Sequence, residues 1–192
     1  MVGDRQLPAD LAKQFEGMFV DAKSLNLPES LFYLFTATES DICIGECGGG
    51  FLLGPINGIP SMLINAYPFH IGWNNMVIYY KVLMGEDGYI VPAEKLFQKY
   101  GEDVVHSSDN VLENTPEELE AAISDFIYCV ENEQCLGIPF KDLTGVEGHF
   151  WSSLSESYMS SIWMKLYGGK EGPIMPNERA AKAKLLLSKM RT

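Results

Sequence analysis

Apolar residues return at three- and four-residue steps through Leu119, Ala122, Ile123, Phe126, Ile127 and Val130. That period places them on one face of an α-helix. The start of the helix is legible in NTPEE: Thr115 is the N-cap, Pro116 takes the first helical position, and Glu118 closes a Thr-x-x-Glu capping box. Residues 114–132 are therefore expected to be a structural helix. Weaker versions of the rhythm predict helices over 7–18, over 26–40 with Leu31, Leu34 and Phe35 on one face, and over 91–101 and 177–190. A further helix is predicted over 148–169, with Trp151, Tyr158 and Trp163 forming an aromatic face for core packing.

Elsewhere the apolar runs are short and unbroken. DICIGE (41–46) and IPSMLINAY (59–67) are too short for helices and lack polar alternation, which suits strands buried on both faces of a parallel sheet. A third strand is predicted over 18–23. Between the first two runs, GFLLGPING provides about two helical turns closed by Asn57-Gly58. Fifteen residues, Glu46 to Pro60, are enough for a right-handed crossover and too many for a hairpin. The prediction is a βαβ unit within a Rossmann-like α/β fold, a parallel sheet flanked by helices. Residues 1–145 are read as the main domain and residues 146–192 as C-terminal helices packing on it.

Charge narrows the partners. A net charge of −12 argues against nucleic acid, whose binding depends on Lys and Arg neutralising phosphates. Ten acidic residues and no basic one lie between Glu102 and Glu133, whereas seven basic and two acidic ones lie from Lys165 onward. The basic tail is expected to be solvated or to lie near an acidic face. The opening MVGDRQLPAD has no apolar signal core, and no stretch reaches the ~20 apolar residues of a membrane helix, so the expected location is cytoplasmic. Cys43, Cys47, Cys129 and Cys135 fit no zinc spacing and are expected as buried free thiols, with no structural metal.

Residues 42–67 hold a single charge, Glu46, directly before Cys47 and the glycines Gly48, Gly49 and Gly50. Glycines between a strand and a helix let backbone N–H groups approach a ligand, and the helix N-terminus adds partial positive charge. The stretch therefore suits either a backbone anion site or a tight turn with close strand–helix packing. A phosphate held this way would need no local cation, and none occurs between Lys23 and Lys81. A Walker A loop is excluded because no Gly-Lys-Ser/Thr ending is present. The dinucleotide G-x-G-x-x-G fails at Leu53, and Asn65 stands where an acidic residue would end the next strand. Glu46 either caps the turn or accepts a hydrogen bond from a sugar hydroxyl. Asn65, Tyr67, His70, Trp73, Asn74 and Asn75 follow the second strand and are expected at the same sheet edge, as polar and aromatic groups suited to sugar or base recognition.

The order DICIGECGGGFLLGPINGIPSMLINAYP, then a loop with Asn-Asn and Lys81, then DGYIVPAEKLF and LENTPEELEAAISDF, resembles the C-terminal part of a family of bacterial glycosyltransferases of the GT-B fold. Gly45 to Gly50, Gly58 to Pro60, Asn65 and Asn114 to Glu118 carry the resemblance, which spans residues 8–131. It implies a donor domain for a nucleotide-diphosphate sugar, in polysaccharide biosynthesis, with the diphosphate near Gly48, Gly49 and Gly50. Glu46 would meet a donor hydroxyl and Asn65 would line the site. Lys81 would offset charge on the leaving diphosphate, and His70 is the second catalytic candidate. No cofactor other than the donor is implied. An acceptor domain or subunit is the implied partner, without which transfer is incomplete. A non-catalytic nucleotide-sugar-binding or interaction module, or a sugar-nucleotide epimerase-like enzyme, is the alternative.

Overall fold

The computed structural model describes residues 8–18, 20, 25–67, 75–100, 110–139, 158–169 and 172–190. The chain opens with two helices, α1 (Ala9–Gln14) and α2 (Glu29–Glu39). The βαβ unit follows as β1 (Cys43–Gly45), α3 (Gly49–Ile56) and β2 (Ser61–Ala66), with β1 and β2 paired in parallel as the crossover length requires. β3 (Met76–Tyr80) continues the sheet, parallel to β2, and every one of its five residues is buried. Its sequence, MVIYY, lacks alternation because both faces are covered.

After β3 come β4 (Val82–Leu83), α4 (Ala93–Tyr100), β5 (Val111–Leu112) and α5 (Pro116–Glu131). β4 and β5 form a separate antiparallel pair. The main sheet is completed by β6 (Ile138–Pro139) and β7 (Tyr158–Met159), giving the order β1-β2-β3-β7-β6. β7 runs parallel to β3, and β6 antiparallel to β7. Helices α6 (Ser161–Tyr167) and α7 (Arg179–Met190) end the described chain, joined through a short 3-10 turn at Pro176–Glu178. The fold is α/β, with a mostly parallel five-stranded sheet flanked by helices, compatible with a Rossmann-like arrangement. Among the described residues, no helix is long and apolar enough to cross a membrane.

α5 begins as its sequence predicts. The Thr115 hydroxyl accepts from the Glu118 N–H at 3.3 Å, and the Thr115 N–H donates to the Glu118 carboxylate at 2.7 Å. Ala122 and Phe126 are buried, with Leu119, Ile123, Ile127 and Val130 packed against the core. The basic tail also settles: α7 lies on α5, with Lys184 3.1 Å from Glu117 and Arg179 2.8 Å from Glu118.

Four expectations change. The helix predicted over 148–169 is interrupted: Tyr158–Met159 is a strand in the sheet and helix begins at Ser161, while Trp151 lies outside the described residues. Trp163 does pack in the core, its indole N–H donating to the Tyr80 carbonyl at 2.8 Å. The apolar face expected on α2 is not its buried face. Phe32 and Ala37 turn inward, toward α3, while Leu31, Leu34 and Phe35 stay more than half exposed. Cys47 and Cys135 are exposed, and only Cys43 and Cys129 are partly buried, where desolvation pushes both thiols up in pKa. Of the strand predicted over 18–23, Met18 lies in a turn, and residues 19 and 21–24 fall outside the described residues.

Candidate functional site

β1 and α3 meet at a turn whose glycines have divided tasks. A Cβ on Gly54 would stand 2.8 Å from both Cβ and Sγ of Cys43, and one on Gly45 would stand 3.0 Å from the Phe51 ring. These two glycines let strand and helix close together. Pro55, inside α3, cannot donate to the Phe51 carbonyl, and the Cys43 thiol donates to that oxygen instead, at 3.9 Å. Gly48 and Gly49 are different: a Cβ on either would meet nothing within 4 Å, and neither has a positive φ. Packing and backbone strain therefore do not account for them.

Gly48 is the N-cap of α3, with no side-chain cap. The N–H groups of Phe51 and Leu52 turn back to its carbonyl, at 3.1 and 3.3 Å. The N–H groups of Gly49 and Gly50, at the head of the helix, have no intrahelical acceptor. They border a cavity of about 650 Å³ between α2 and the β1–α3 turn, lined also by Tyr33, Thr36 and Glu46. That volume is within the range of small-molecule sites.

Glu46 stands beyond the carboxyl end of β1 and does not cap α3. Its carboxylate accepts from the Asn65 side-chain amide at 2.7 Å. Asn65 reaches it through an irregularity in β2: the register with β3 shifts between Leu63 and Ala66, and Asn65 takes φ +52°. Asparagine tolerates this left-handed conformation better than most residues, and such bulges re-aim side chains at strand ends. The Asn65 carbonyl oxygen accepts from the Asn114 amide at 3.0 Å, and Asn114 accepts from Arg179 at 3.5 Å. Arg179 forks onto Glu118, with contacts of 2.8 and 3.1 Å, and also donates to the Tyr167 hydroxyl at 3.3 Å. A polar chain thus runs from the cavity edge into the buried contact between α5 and α7.

The structure brings Glu46, Gly48, Gly49, Gly50 and Asn65 together. Lys81 is at the end of β3, along the same sheet edge, but does not line the cavity. Its ammonium lies 2.6 Å from Glu113 and 4.9 Å from the centroid of the Tyr67 ring. Asn75 is structural, its amide donating to the Pro55 and Ile59 carbonyls and closing the turn between α3 and β2. His70, Trp73 and Asn74 lie outside the described residues. The sequence reading missed Asn114 as the support of Asn65. Its signal was its place before the capping box, which read only as a helix start. Arg179 and the α2 residues Tyr33 and Thr36 had no signal, since only the fold carries them there. Comparison with family models, curated proteins and solved structures finds no match.

Proposed function

We propose that the chain is a donor-binding domain of GT-B type that holds a nucleotide-diphosphate sugar at the β1–α3 turn. The observation that carries the proposal is the open space at Gly48 and Gly49, beside free helix N–H groups and an Asn65-held carboxylate. The diphosphate would accept from the Gly49 and Gly50 N–H groups, where the helix dipole favours an anion without a cation. Glu46, oriented by Asn65, would accept from a sugar hydroxyl. The site is at carboxyl strand ends, where ligands of open α/β sheets bind. The motif order shared with GT-B glycosyltransferases supports the choice of ligand class.

Capture is the part assigned to these residues. Lys81 is engaged by Glu113, and the described cavity lining holds one carboxylate and no cation. Sugar transfer would draw on an acceptor-binding domain or subunit, and the alternative of a non-catalytic nucleotide-sugar module shares this binding step.

Calorimetric titration with uridine, guanosine, cytidine and adenosine diphosphate sugars tests the proposal. Saturable binding of at least one is expected. Gly49→Asp fits the open space and sets a carboxylate against the anion; at least about tenfold weaker binding is expected, the equivalent of ~1.4 kcal/mol. Glu46→Gln should weaken the sugar donor more than the bare nucleoside diphosphate. Binding to none of the four donors would sink the proposal.

A further inference from the structure

A second cavity, of about 570 Å³, opens on the opposite end of the chain between α6, α7 and the segment around Ile174. Its walls are apolar, formed by Ile138, Met164, Ile174, Leu185 and Leu186. Three lysines, Lys165, Lys182 and Lys189, also line it, and no Asp or Glu is among its described lining residues. In a chain with 26 acidic residues against 14 basic ones, this is a reversal of the overall charge.

The lysines hold different positions. Lys182 is partly buried and donates to the Leu166 carbonyl at 3.0 Å, which fixes its ammonium at the carboxyl end of α6. Lys165 and Lys189 are exposed at the mouth, on α6 and α7. Lys184, the neighbouring lysine of α7, faces away and pairs with Glu117. Three of the four lysines on α6 and α7 therefore line the cavity. A mostly apolar cavity with a few convergent polar groups, in this volume range, has the make-up of a small-molecule site.

We propose that this cavity is a second binding site, one that takes an aliphatic carboxylate with its chain against Met164, Ile174 and Leu186 and its head group among Lys165, Lys182 and Lys189. The lysines act as point charges and offer no bidentate fork, which suits a single carboxylate on a flexible chain. This site is independent of the one at the β1–α3 turn.

The test uses the full chain labelled at methionine methyl carbons and titrated with octanoate, decanoate and dodecanoate below their micelle concentrations. Saturable binding is expected, with the Met164 methyl resonance shifting and affinity rising roughly three- to fourfold for each methylene added. Dodecanol should bind more weakly than dodecanoate. The double variant Lys165→Gln/Lys189→Gln should lose about threefold to tenfold in dodecanoate affinity and flatten its salt dependence, whereas Lys184→Gln should bind as the parent does. Far-ultraviolet circular dichroism checks that the variants fold, and in the parent chain the Met164 shift reads the site without any variant. Absence of saturable binding would overturn the proposal. So would dodecanol binding as tightly as dodecanoate, or dodecanoate binding that leaves Met164 unshifted, as it would on the exposed Leu31, Leu34 and Phe35 face.

Discussion

Tyr79 shows how a single side chain can be at odds with its surroundings. It is fully buried near the carboxyl end of β3, and its hydroxyl finds no hydrogen-bond partner among the described residues. An orphaned buried hydroxyl costs about 1–3 kcal/mol. Tyr79→Phe keeps the ring and removes the orphan, so it should leave stability unchanged or raise it by about 1 kcal/mol in urea titration. Burial pushes the phenol well above its ordinary value of 10, the nearby Glu118 carboxylate adds to the rise, and Arg179 opposes it. An unfolded tyrosine loses its proton near pH 10 while the folded one keeps it, so this contribution to stability is complete below pH 10 and is lost as pH rises above it. The advantage of Tyr79→Phe should therefore widen above pH 10, which urea titrations at pH 9 and pH 11 will read. None of this was legible in MVIYY, because the run shows that Tyr79 is buried and not what its hydroxyl meets.

Among the elements, α3 is where sequence and structure meet most closely. Read from the sequence, the glycines around it fit two uses; contact distances show close packing at Gly45 and Gly54 and open space at Gly48 and Gly49. Gly49→Ala enters open space at a helical position and should stabilise by roughly 0.4–1 kcal/mol through a less flexible unfolded chain. Gly54→Ala drives a methyl against Cys43 and should destabilise by roughly 1–3 kcal/mol. Thermal or urea unfolding of the two variants checks both signs. The covered side of α2 was harder to read, since Phe32 and Phe35 are neighbours on the helix and equally apolar, and only the position of α3 decides which is covered.

At the scale of the molecule, the buried pair of Arg179 and Glu118 joins α7 to α5 and ends the polar chain that starts at Glu46. Glu118 is satisfied on both oxygens, by Arg179 and by the Thr115 N–H. Removing one partner strands a buried charge, so Arg179→Met should cost about 3–5 kcal/mol, and Glu118→Gln in the same chain should restore part of it. Urea titration of the single and double variants measures the coupling. A loss in Arg179→Met with no recovery in the double variant would mean that packing of the Arg179 stem, and not the charge, holds the helices. The local features were written in the sequence: the capping box of α5, the burial of most of β2, and the parallel pairing forced by a fifteen-residue crossover, whereas β1, expected to be buried on both faces, is a half-buried edge strand. These depend on near neighbours and on apolar period, which a linear string records. The tertiary structure alone decided which glycines are open, which face of α2 is covered, that Tyr158–Met159 joins the sheet, and that Asn65, Asn114 and Arg179 align behind Glu46. The last of these depends on groups 19 to 65 residues apart meeting within hydrogen-bond distance, and such separations leave no period in the sequence to read.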